Sequence, residues 1–502
     1  MSQQSEIRSE ARADNSNEHF DVLIVGAGIS GIDAAYHLKT RLPGKSFVVI
    51  ERAEGLGGTW RTHRFPGIRT DSDLYTFGYG WKPWMGKTLA SAEEITAYLE
   101  EAVEEQALAP SIRYGQSLIA ADWREAEKRW FLTIEEVATG ALKLVTCTFL
   151  WMCQGYYDHR QGYVPDYPGR ERFAGPVVHP QHWPEDLDTA GKRVAVIGSG
   201  ATAATLVPAL AETAGHVTIV QRTPTYYFPR PKEHELAALL RPLDLPPEWF
   251  HEIMRRQMFR ERVELMRRIA EEPDVIRREF LDMARDHLGD ACPVEPHFAP
   301  TYRLWRQRVA LIPEGDLFLA VNRGDVSVET GDIETFTETG LTMKDGTEVE
   351  ADIIVSATGL NLQMMGGVPF TIDGARHDFS KSWTHRAMMF TGAPNLAWIF
   401  GYIRASWTLR ADLVCAFVCR LLAHMEETGA TVAEPRLRPE DADMPALPFF
   451  DPEDFNPGYI TRALDDLPRN GDRAPWIVSH DFDDERRSIP AASLTDGTIA
   501  YR

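Results

Sequence analysis

The chain has 502 residues, of which 44% are hydrophobic and 25% charged, a composition typical of a soluble globular protein with two or three domains. Its formal net charge of −21 argues against nucleic acid or an anionic membrane surface as a general partner, so an anionic cofactor would need a local basic cluster. Five cysteines without CxxC spacing argue against a disulfide framework or a zinc site, and they favour a reducing, cytoplasmic location.

The sequence shows no targeting signal and no membrane-spanning segment. Residues 1–19 are polar and lack the apolar core of a signal peptide, so we predict a disordered tail. No stretch reaches the roughly 18 uncharged apolar residues of a spanning helix. The best candidate, 395–422, contains several charged residues and is predicted to be a core helix with its approach strand. Within it, Cys415 and Cys419 are predicted to be buried small hydrophobes on one helix face rather than a redox pair.

A first glycine-rich segment follows the apolar run 21–25 and precedes a stretch, 33–42, that is predicted to be helical. Its three glycines, spaced GxGxxG, are Gly26, Gly28 and Gly31. Such glycines let the backbone approach a pyrophosphate, which free N–H groups at the helix N-terminus then stabilise, and Ser30 can add a hydroxyl contact. A buried strand ends at Glu51, where an acid can hydrogen-bond a ribose hydroxyl. The pattern predicts a dinucleotide-binding fold.

A second segment of this kind follows the apolar run 192–197 and opens another predicted helix. Its residues are Gly198, Ser199, Gly200, Ala201, Thr202, Ala203 and Ala204. The next predicted strand, 216–221, is followed by Arg222 and Thr223 rather than by the acid that favours NAD. An arginine there accommodates the 2′-phosphate of NADP, and a solvated surface arginine is the alternative. Two such folds without a metal pattern predict electron transfer between two nucleotides, one of them a flavin.

Between the two segments lies a rare string, FxGxxxHxxxWP, over residues 173–184. It matches the fingerprint of the Baeyer–Villiger monooxygenases and their flavin-containing monooxygenase relatives, and it is far more specific than a GxGxxG pattern alone. The stretches 64–73 and 178–187 also resemble the branch of this family that activates ethionamide. The resemblance runs from about residue 21 into the 470s. It implies an α/β fold with two Rossmann-like dinucleotide-binding domains, for FAD and NADP, and a helical insertion.

The predicted domain organisation follows from this resemblance and from changes in pattern along the chain. The segments are the tail (1–19), the first part of the FAD domain (20–157), a linker that carries the fingerprint (158–191), the NADP domain (192–345) with its helical insertion (about 231–300), and the second part of the FAD domain with the C-terminal segment (346–502). The insertion either shapes a substrate pocket or covers the core. Residues 318–354 are predicted to form short strands, and 434–454, rich in Pro, Asp and Glu, a surface excursion.

The resemblance also implies which residues contact the flavin nucleotide. Besides the first glycine segment and Glu51, they are Gly58, Thr59, Trp60, Arg61, Thr62, Arg69, Thr70, Asp71 and Leu118. In the linker, His179 and Trp183 are predicted to hold a hinge that coordinates NADP movement with flavin chemistry, with His179 hydrogen-bonded to backbone, in preference to direct acid–base work.

Asp71 and Arg308 match the active-site aspartate and arginine of the family. Reduced flavin and O2 would give a C4a-peroxide, and its attack on a ketone would give a second anion. A fixed guanidinium stabilises both negative charges, and a carboxylate behind it orients it. Because Arg303 and Arg306 occupy the same segment, the choice among the three arginines stays open at this point.

We therefore predict an FAD-containing, NADPH- and O2-dependent monooxygenase that converts ketones to esters or lactones through a C4a-peroxyflavin and also oxidises thioethers. The alternative is a flavin monooxygenase that acts mainly on sulfur or nitrogen centres. A disulfide reductase would need a cysteine pair beside the flavin, and a non-enzymatic nucleotide-binding module would not need the aspartate–arginine pair. The physiological substrate, the regio- and enantioselectivity and the oligomeric state do not follow from the sequence.

Overall fold

The computed structural model describes residues 18–502. The predicted disordered tail lies outside the described residues, except for Glu18 and His19, which begin the first strand. Among residues 18–502, none of the helices combines the length and the apolarity needed to cross a membrane.

Residues 18–152 form most of a first domain, which we call the larger domain. Its elements are β1 (Glu18–Val25), α1 (Ile29–Arg41), β2 (Phe47–Ile50), α2 (Thr59–Thr62), α3 (Leu74–Phe77), α4 (Ala92–Glu105), β3 (Ile112–Arg113), β4 (Gln116–Arg124), β5 (Arg129–Glu136) and β6 (Ala141–Met152). The central parts of β1 and β2 are apolar and buried because helices or strands cover both faces of this part of the sheet. α1 begins earlier than the predicted 33–42, since Gly28 already caps it.

Residues 177–356 form a second domain, which we call the smaller domain, together with the helical insertion. The elements are β7 (Val177–Val178), β8 (Arg193–Ile197), α5 (Ala201–Ala211), β9 (His216–Gln221), β10 (Tyr227–Arg230), α6 (Glu235–Leu240), α7 (Pro247–Glu271), α8 (Pro273–Leu288), α9 (Val294–His297), β11 (Ala310–Pro313), α10 (Asp316–Asn322), β12 (Val326–Thr330), β13 (Ile333–Thr337), β14 (Gly340–Met343), β15 (Glu348–Glu350) and β16 (Ile353–Ser356).

After β16 the chain returns to the larger domain. The remaining elements are β17 (Phe370–Ile372), β18 (Ala375–Arg376), β19 (Thr384–His385), β20 (Met389–Phe390), β21 (Leu396–Trp398), α11 (Trp407–Thr428), β22 (Ala433–Pro435), α12 (Gly458–Thr461), α13 (Phe482–Ser488) and β23 (Ile499–Tyr501). Strand β21 pairs with β6, and α11 packs along α1, so this late part of the chain completes the domain that residues 18–152 begin.

The two domains are built on separate sheets. The larger sheet has the order β18-β17-β4-β5-β6-β1-β2-β3, with β21 beside β6, and its central strand β1 pairs in parallel with β2 and β6. The smaller sheet has the order β12-β9-β8-β16-β7, and its pairs are parallel. In each sheet the glycine-rich loop follows a central strand and opens a helix, which is the Rossmann arrangement. The predicted fold class is confirmed.

The helical insertion packs against both domains. Phe250 and Met254 of α7 are buried in the core of the larger domain, whereas Phe280 and Leu281 of α8 are buried in that of the smaller domain. Of the two roles considered for the insertion, these contacts support coverage of the cores.

Two sequence-based expectations are wrong in part. Residues 318–354 do not begin with a strand, because Phe318 lies in α10, whose apolar residues are spaced so that one helix face is buried. The segment 434–454 is not only a surface excursion, since Phe449 and Phe450 are 1% and 2% exposed. Two adjacent aromatic side chains outweigh the polar composition around them.

Candidate functional site

The loop between β1 and α1 is a close-packed backbone cradle. Gly26 has a φ of +104°, and a Cβ atom there would lie 2.8 Å from the carbonyl oxygen of Cys153. A Cβ atom at Gly31 would lie 1.8 Å from the carbonyl oxygen of Gly26. Gly28 is the N-cap of α1, so the helix N-terminus opens onto the cradle. The cradle therefore fits a pyrophosphate, whose charge the N–H groups and the helix dipole stabilise.

Glu51 is held beside this cradle at the end of β2. Its Oε2 accepts a hydrogen bond from the backbone N–H of Ala27, and its Oε1 accepts one from the N–H of Ala53, both at 2.8 Å. These charge-assisted bonds fix the carboxylate, which keeps further lone pairs for the hydroxyls of a ribose.

Helix α2 covers the same cradle. A Cβ atom on Gly28 would lie 3.5 Å from the Cα of Gly58, the N-cap of α2. The indole of Trp60 meets the ring of Phe77 edge-on, with 5.7 Å between the ring centroids. The half-buried side chains of this helix are Thr59, Trp60, Arg61 and Thr62. The predicted flavin contacts of this segment thus lie together with the first loop.

The loop between β8 and α5 is close-packed at Gly198, where a Cβ atom would lie 2.3 Å from the carbonyl oxygen of Ala357, but it is open at its second glycine. A Cβ atom on Gly200, the N-cap of α5, would meet no atom of the described chain within 4 Å. The Ser199 hydroxyl donates a hydrogen bond of 2.8 Å to the carbonyl oxygen of Thr223, which ties this loop to the end of β9. Arg222 and Thr223 are exposed there. In α5, Ala201 and Thr202 are half-buried, whereas Ala203 and Ala204 are buried.

Arg308 and Asp71 face each other between the domains. The Nη1 atom of Arg308 lies 3.9 Å from Oδ2 of Asp71, and each side chain is 32% exposed. The Nε of Arg308 also donates a hydrogen bond of 3.2 Å to the hydroxyl of Tyr459. Tyr459 first, and then Tyr156 and Asp71, favour the charged guanidinium and raise the pKa of Arg308 well above its ordinary value. The site therefore holds a fixed positive charge.

A chain of aromatic contacts joins this arginine to the first loop. Trp407 donates a hydrogen bond from Nε1 to the hydroxyl of Ser30 at 2.7 Å, and its ring stacks on Tyr156 with centroids 5.1 Å apart. The Tyr156 hydroxyl donates to that of Tyr157 at 2.6 Å. The two tyrosines come directly after Gly155, whose φ is +78°, and nothing in the sequence pointed to Tyr459 or Trp407. Sequence reasoning missed all four aromatic residues.

The two neighbouring arginines point elsewhere. Arg303 pairs with Asp454 at 2.7 Å, and Arg306 pairs with Glu453 at 3.1 Å. Both acids belong to the C-terminal part of the chain. Of the three arginines that the sequence left open, Arg308 is the one that faces Asp71.

The other three predicted flavin contacts, Arg69, Thr70 and Leu118, lie in three different places. Arg69 pairs with Asp316 of α10 at 2.7 Å, so its guanidinium reaches the smaller domain. The Thr70 hydroxyl is buried and donates to the carbonyl oxygen of Ser72 at 3.0 Å. The Leu118 side chain is 6% exposed and packs in the core of the larger domain. The structure therefore brings Arg69 to the domain junction rather than to the first loop.

His179 of the linker is hydrogen-bonded to backbone at both ring nitrogens. Its Nδ1 accepts from the N–H of Gln181 at 3.2 Å, which leaves Nε2 to donate to the carbonyl oxygen of Gly359 at 3.1 Å. Burial lowers the pKa of His179, so the ring is neutral near pH 7. The predicted backbone bonding is present, and it ties the linker to the turn after β16.

A cleft of 890 Å³ opens at the junction of the two domains. Its basic lining residues are Arg61, Arg64, Arg69, Lys87 and Lys232. Three glutamates, Glu93, Glu94 and Glu100, line the same cleft, and Arg64 and Arg69 are paired with acids, so the basic charge of the cleft is largely balanced.

Comparisons with known proteins agree with this geometry. Residues 24–96 match a model of the NAD(P)-binding Rossmann-like domain, and residues 135–239 match the model described as flavin-binding monooxygenase-like. The chain is 45% identical to the FAD-containing monooxygenase EthA of Mycolicibacterium smegmatis over 96% of this chain and 97% of that protein.

Solved structures share the fold. An oxidized steroid monooxygenase bound to NADP matches with a TM-score of 0.74 at 22% identity, over 96% of this chain and 99% of that one. A cyclohexanone monooxygenase bound to ε-caprolactone matches with a TM-score of 0.68 at 21% identity, over 84% and 91%. The 45% identity to EthA, over nearly the whole of both chains, shows that this chain belongs to the family of FAD-containing monooxygenases, in the EthA-like branch, and the matched family models agree; it is an FAD-containing, NADP-binding monooxygenase.

Proposed function

We propose that the enzyme inserts one oxygen atom of O2 beside the carbonyl of a ketone, giving an ester or a lactone, and that it also oxidises thioethers. The observation that carries the proposal is the Arg308–Asp71 pair, whose guanidinium is held by Tyr459 and faces the junction of the domains. When bound, reduced FAD supplies the activated oxygen.

The division of labour between the domains is part of this proposal. The larger domain, 20–157 with 346–502, would bind FAD through the close-packed cradle, Glu51 and α2. The smaller domain, 192–345, would bind NADP through the open loop, with Arg222 and Thr223 beside the 2′-phosphate. The linker, 158–191, would act as the hinge between them through His179.

Arg308 would stabilise the negative charge that develops on the carbonyl oxygen as the carbon–oxygen bond forms. Its positive charge needs no proton transfer, because a guanidinium remains protonated throughout the accessible pH range. Asp71 and the Tyr459 hydroxyl would orient the guanidinium from two sides, and Tyr156 and Tyr157 would form the wall next to it.

Oxidation of sulfur or nitrogen centres as the main activity is the alternative. A neutral sulfide that gains an oxygen atom leaves no alkoxide-like charge for a guanidinium to stabilise, so that reaction depends less on Arg308. The pair therefore favours the ketone reaction.

The experiment is product analysis after incubation of the purified enzyme with NADPH, O2 and matched ketones and sulfides. We expect the wild-type enzyme to convert ketones to esters or lactones in amounts that account for the NADPH consumed. The Arg308→Ala variant should not form these products. Sulfoxides as the sole products, with ketones returned unchanged, would contradict the proposal and favour the alternative.

A further inference from the structure

A buried cluster lies where α1 crosses α11, away from the cradle. It consists of Asp33 and His37, one turn apart on α1, and Asp412 on α11, and we call it the interhelix cluster. The three residues offer ligand atoms that all lie within 4.8 Å of one another. Asp33 is 0% and His37 6% exposed. Neither the flavin chemistry nor the nucleotide loops use these side chains.

The polar atoms of this cluster lack hydrogen-bond partners among residues 18–502. They are Oδ2 of Asp33, both ring nitrogens of His37 and Oδ1 of Asp412. Trp81 donates to the other oxygen of Asp33 at 2.9 Å. Buried polar atoms are almost always paired, so these unpaired atoms indicate a missing partner, which only one of the two ring nitrogens of His37 can face.

The distances from His37 to the two acids fit a metal ion, whereas the two carboxylates themselves are close enough to share a proton, which is the alternative. Nε2 of His37 lies 3.6 Å from Oδ1 of Asp33 and 3.6 Å from Oδ1 of Asp412. Both distances are too long for hydrogen bonds. They are close to the ligand separation of about 3.3–3.4 Å in a tetrahedral zinc site with bonds of roughly 2.0–2.1 Å.

The charges agree with a divalent cation. The two carboxylates, one fully buried and one 23% exposed, repel each other, and Arg255, 3.8 Å from Asp412, offsets this repulsion only in part. A divalent cation would neutralise both acids at once. The imidazole ligand favours zinc over magnesium or calcium, which prefer oxygen ligands alone.

We propose that the interhelix cluster binds a structural zinc ion through Asp33, His37 and Asp412. Cys415, one turn after Asp412 on α11 and fully buried, lies near Asp33 but outside this group of three ligand atoms, so a water molecule would complete the tetrahedron. Two ligands at i and i+4 of one helix and a third on the facing helix give the convergent side chains that a metal site needs. The sequence pointed to no metal because its five cysteines lack the spacing of a zinc site.

Zinc here would join segments that are far apart in the sequence. The Trp407–Ser30 hydrogen bond already links the same two helices near the cradle, so the ion would be a second link between α1 and α11. Because a structural metal contributes folding free energy, its removal should lower the stability of the larger domain without touching a residue that we place at the nucleotides.

The test measures zinc in the untagged, FAD-loaded enzyme, purified without chelators from zinc-containing medium. We expect close to one zinc per chain in the wild type. Asp33→Asn and His37→Gln should lower zinc affinity by more than the roughly 10- to 100-fold that loss of an outer hydrogen-bond partner costs. His385→Gln, a change of another buried histidine (1% exposed), should keep the zinc.

A second measurement needs no variant. Treatment of the wild-type holoenzyme with dipicolinate should lower its thermal midpoint, and Zn²⁺ but not Mg²⁺ should restore it. The proposal would be overturned if the wild-type enzyme contained no zinc and neither the chelator nor Zn²⁺ changed its thermal midpoint. A proton shared among the three side chains would then be the remaining explanation. Equal zinc content in His37→Gln and in the wild type would overturn the proposal as well.

Discussion

The two dinucleotide loops share a backbone pattern but differ in how tightly the chain surrounds them. In the larger domain, Gly26 and Gly31 press against backbone, Glu51 is held by two N–H groups and Ser30 lies under Trp407. In the smaller domain Gly198 also presses against backbone, with a Cβ atom there 2.3 Å from the carbonyl oxygen of Ala357, but the space beside Gly200 is open and Arg222 is exposed. The difference fits a flavin that stays bound through many turnovers and a nicotinamide cofactor that must enter and leave.

The largest effect that would test this comparison is loss of FAD in Gly31→Ala. The new Cβ would lie 1.8 Å from the carbonyl oxygen of Gly26, a backbone atom that cannot move aside, so the cost should exceed the about 1–3 kcal/mol of ordinary overpacking. Flavin absorbance of the purified protein measures the outcome. Gly200→Ala, at the open glycine of the second loop, is the control and should stay yellow, with at most a higher KM for NADPH. A Gly31→Ala protein that retains its full complement of FAD would contradict this account of the first loop.

A smaller effect is expected at the open loop. Arg222→Ala should weaken NADPH use by about 1–3 kcal/mol, or roughly 5- to 150-fold, because a charge-assisted contact to the 2′-phosphate is lost. NADH use should hardly change, and FAD should remain bound. The measurement is kcat/KM for both nucleotides. Arg323→Ala, an exposed arginine beside the opposite end of β12, serves as control. A wild-type enzyme that uses NADH as well as NADPH would refute the role of Arg222.

The smallest effect concerns the hydrogen bond between Trp407 and Ser30 beside the first loop. Ser30→Ala and Trp407→Phe should each lower FAD affinity by about 0.5–1.5 kcal/mol through the lost indole–hydroxyl hydrogen bond. Since both changes remove the same bond, the double variant should cost less than the sum of the two. Titration of the FAD-free protein with FAD measures all three. Additive costs would show that the two residues act independently.

Local signals were enough to predict the loops, whereas contacts between distant segments were not. The glycines, Glu51 and Arg222 follow strands at fixed offsets, so sequence alone placed them. The choice of Arg308 over Arg303 and Arg306 depended on Asp454 and Glu453, which lie about 150 residues away along the chain.

Two kinds of tertiary effect account for the rest. The aromatic link from Trp407 to Tyr156 joins positions that only the folded larger domain brings together. Burial also outweighed the local sequence pattern on which the prediction rested. Phe318 packs in the core as part of α10, and Phe449 is buried despite its polar neighbours.

The central claim is that Arg308 serves oxygenation and not cofactor binding. The most direct test follows NADPH oxidation, ketone product and hydrogen peroxide together in Arg308→Ala, with Arg306→Ala as control. We predict that Arg308→Ala keeps FAD and is reduced by NADPH, but loses ester formation by roughly a hundred- to a thousandfold, the equivalent of ~3–4 kcal/mol, and releases hydrogen peroxide instead. Arg306→Ala should remain coupled. Normal, coupled ester formation in Arg308→Ala would contradict the account.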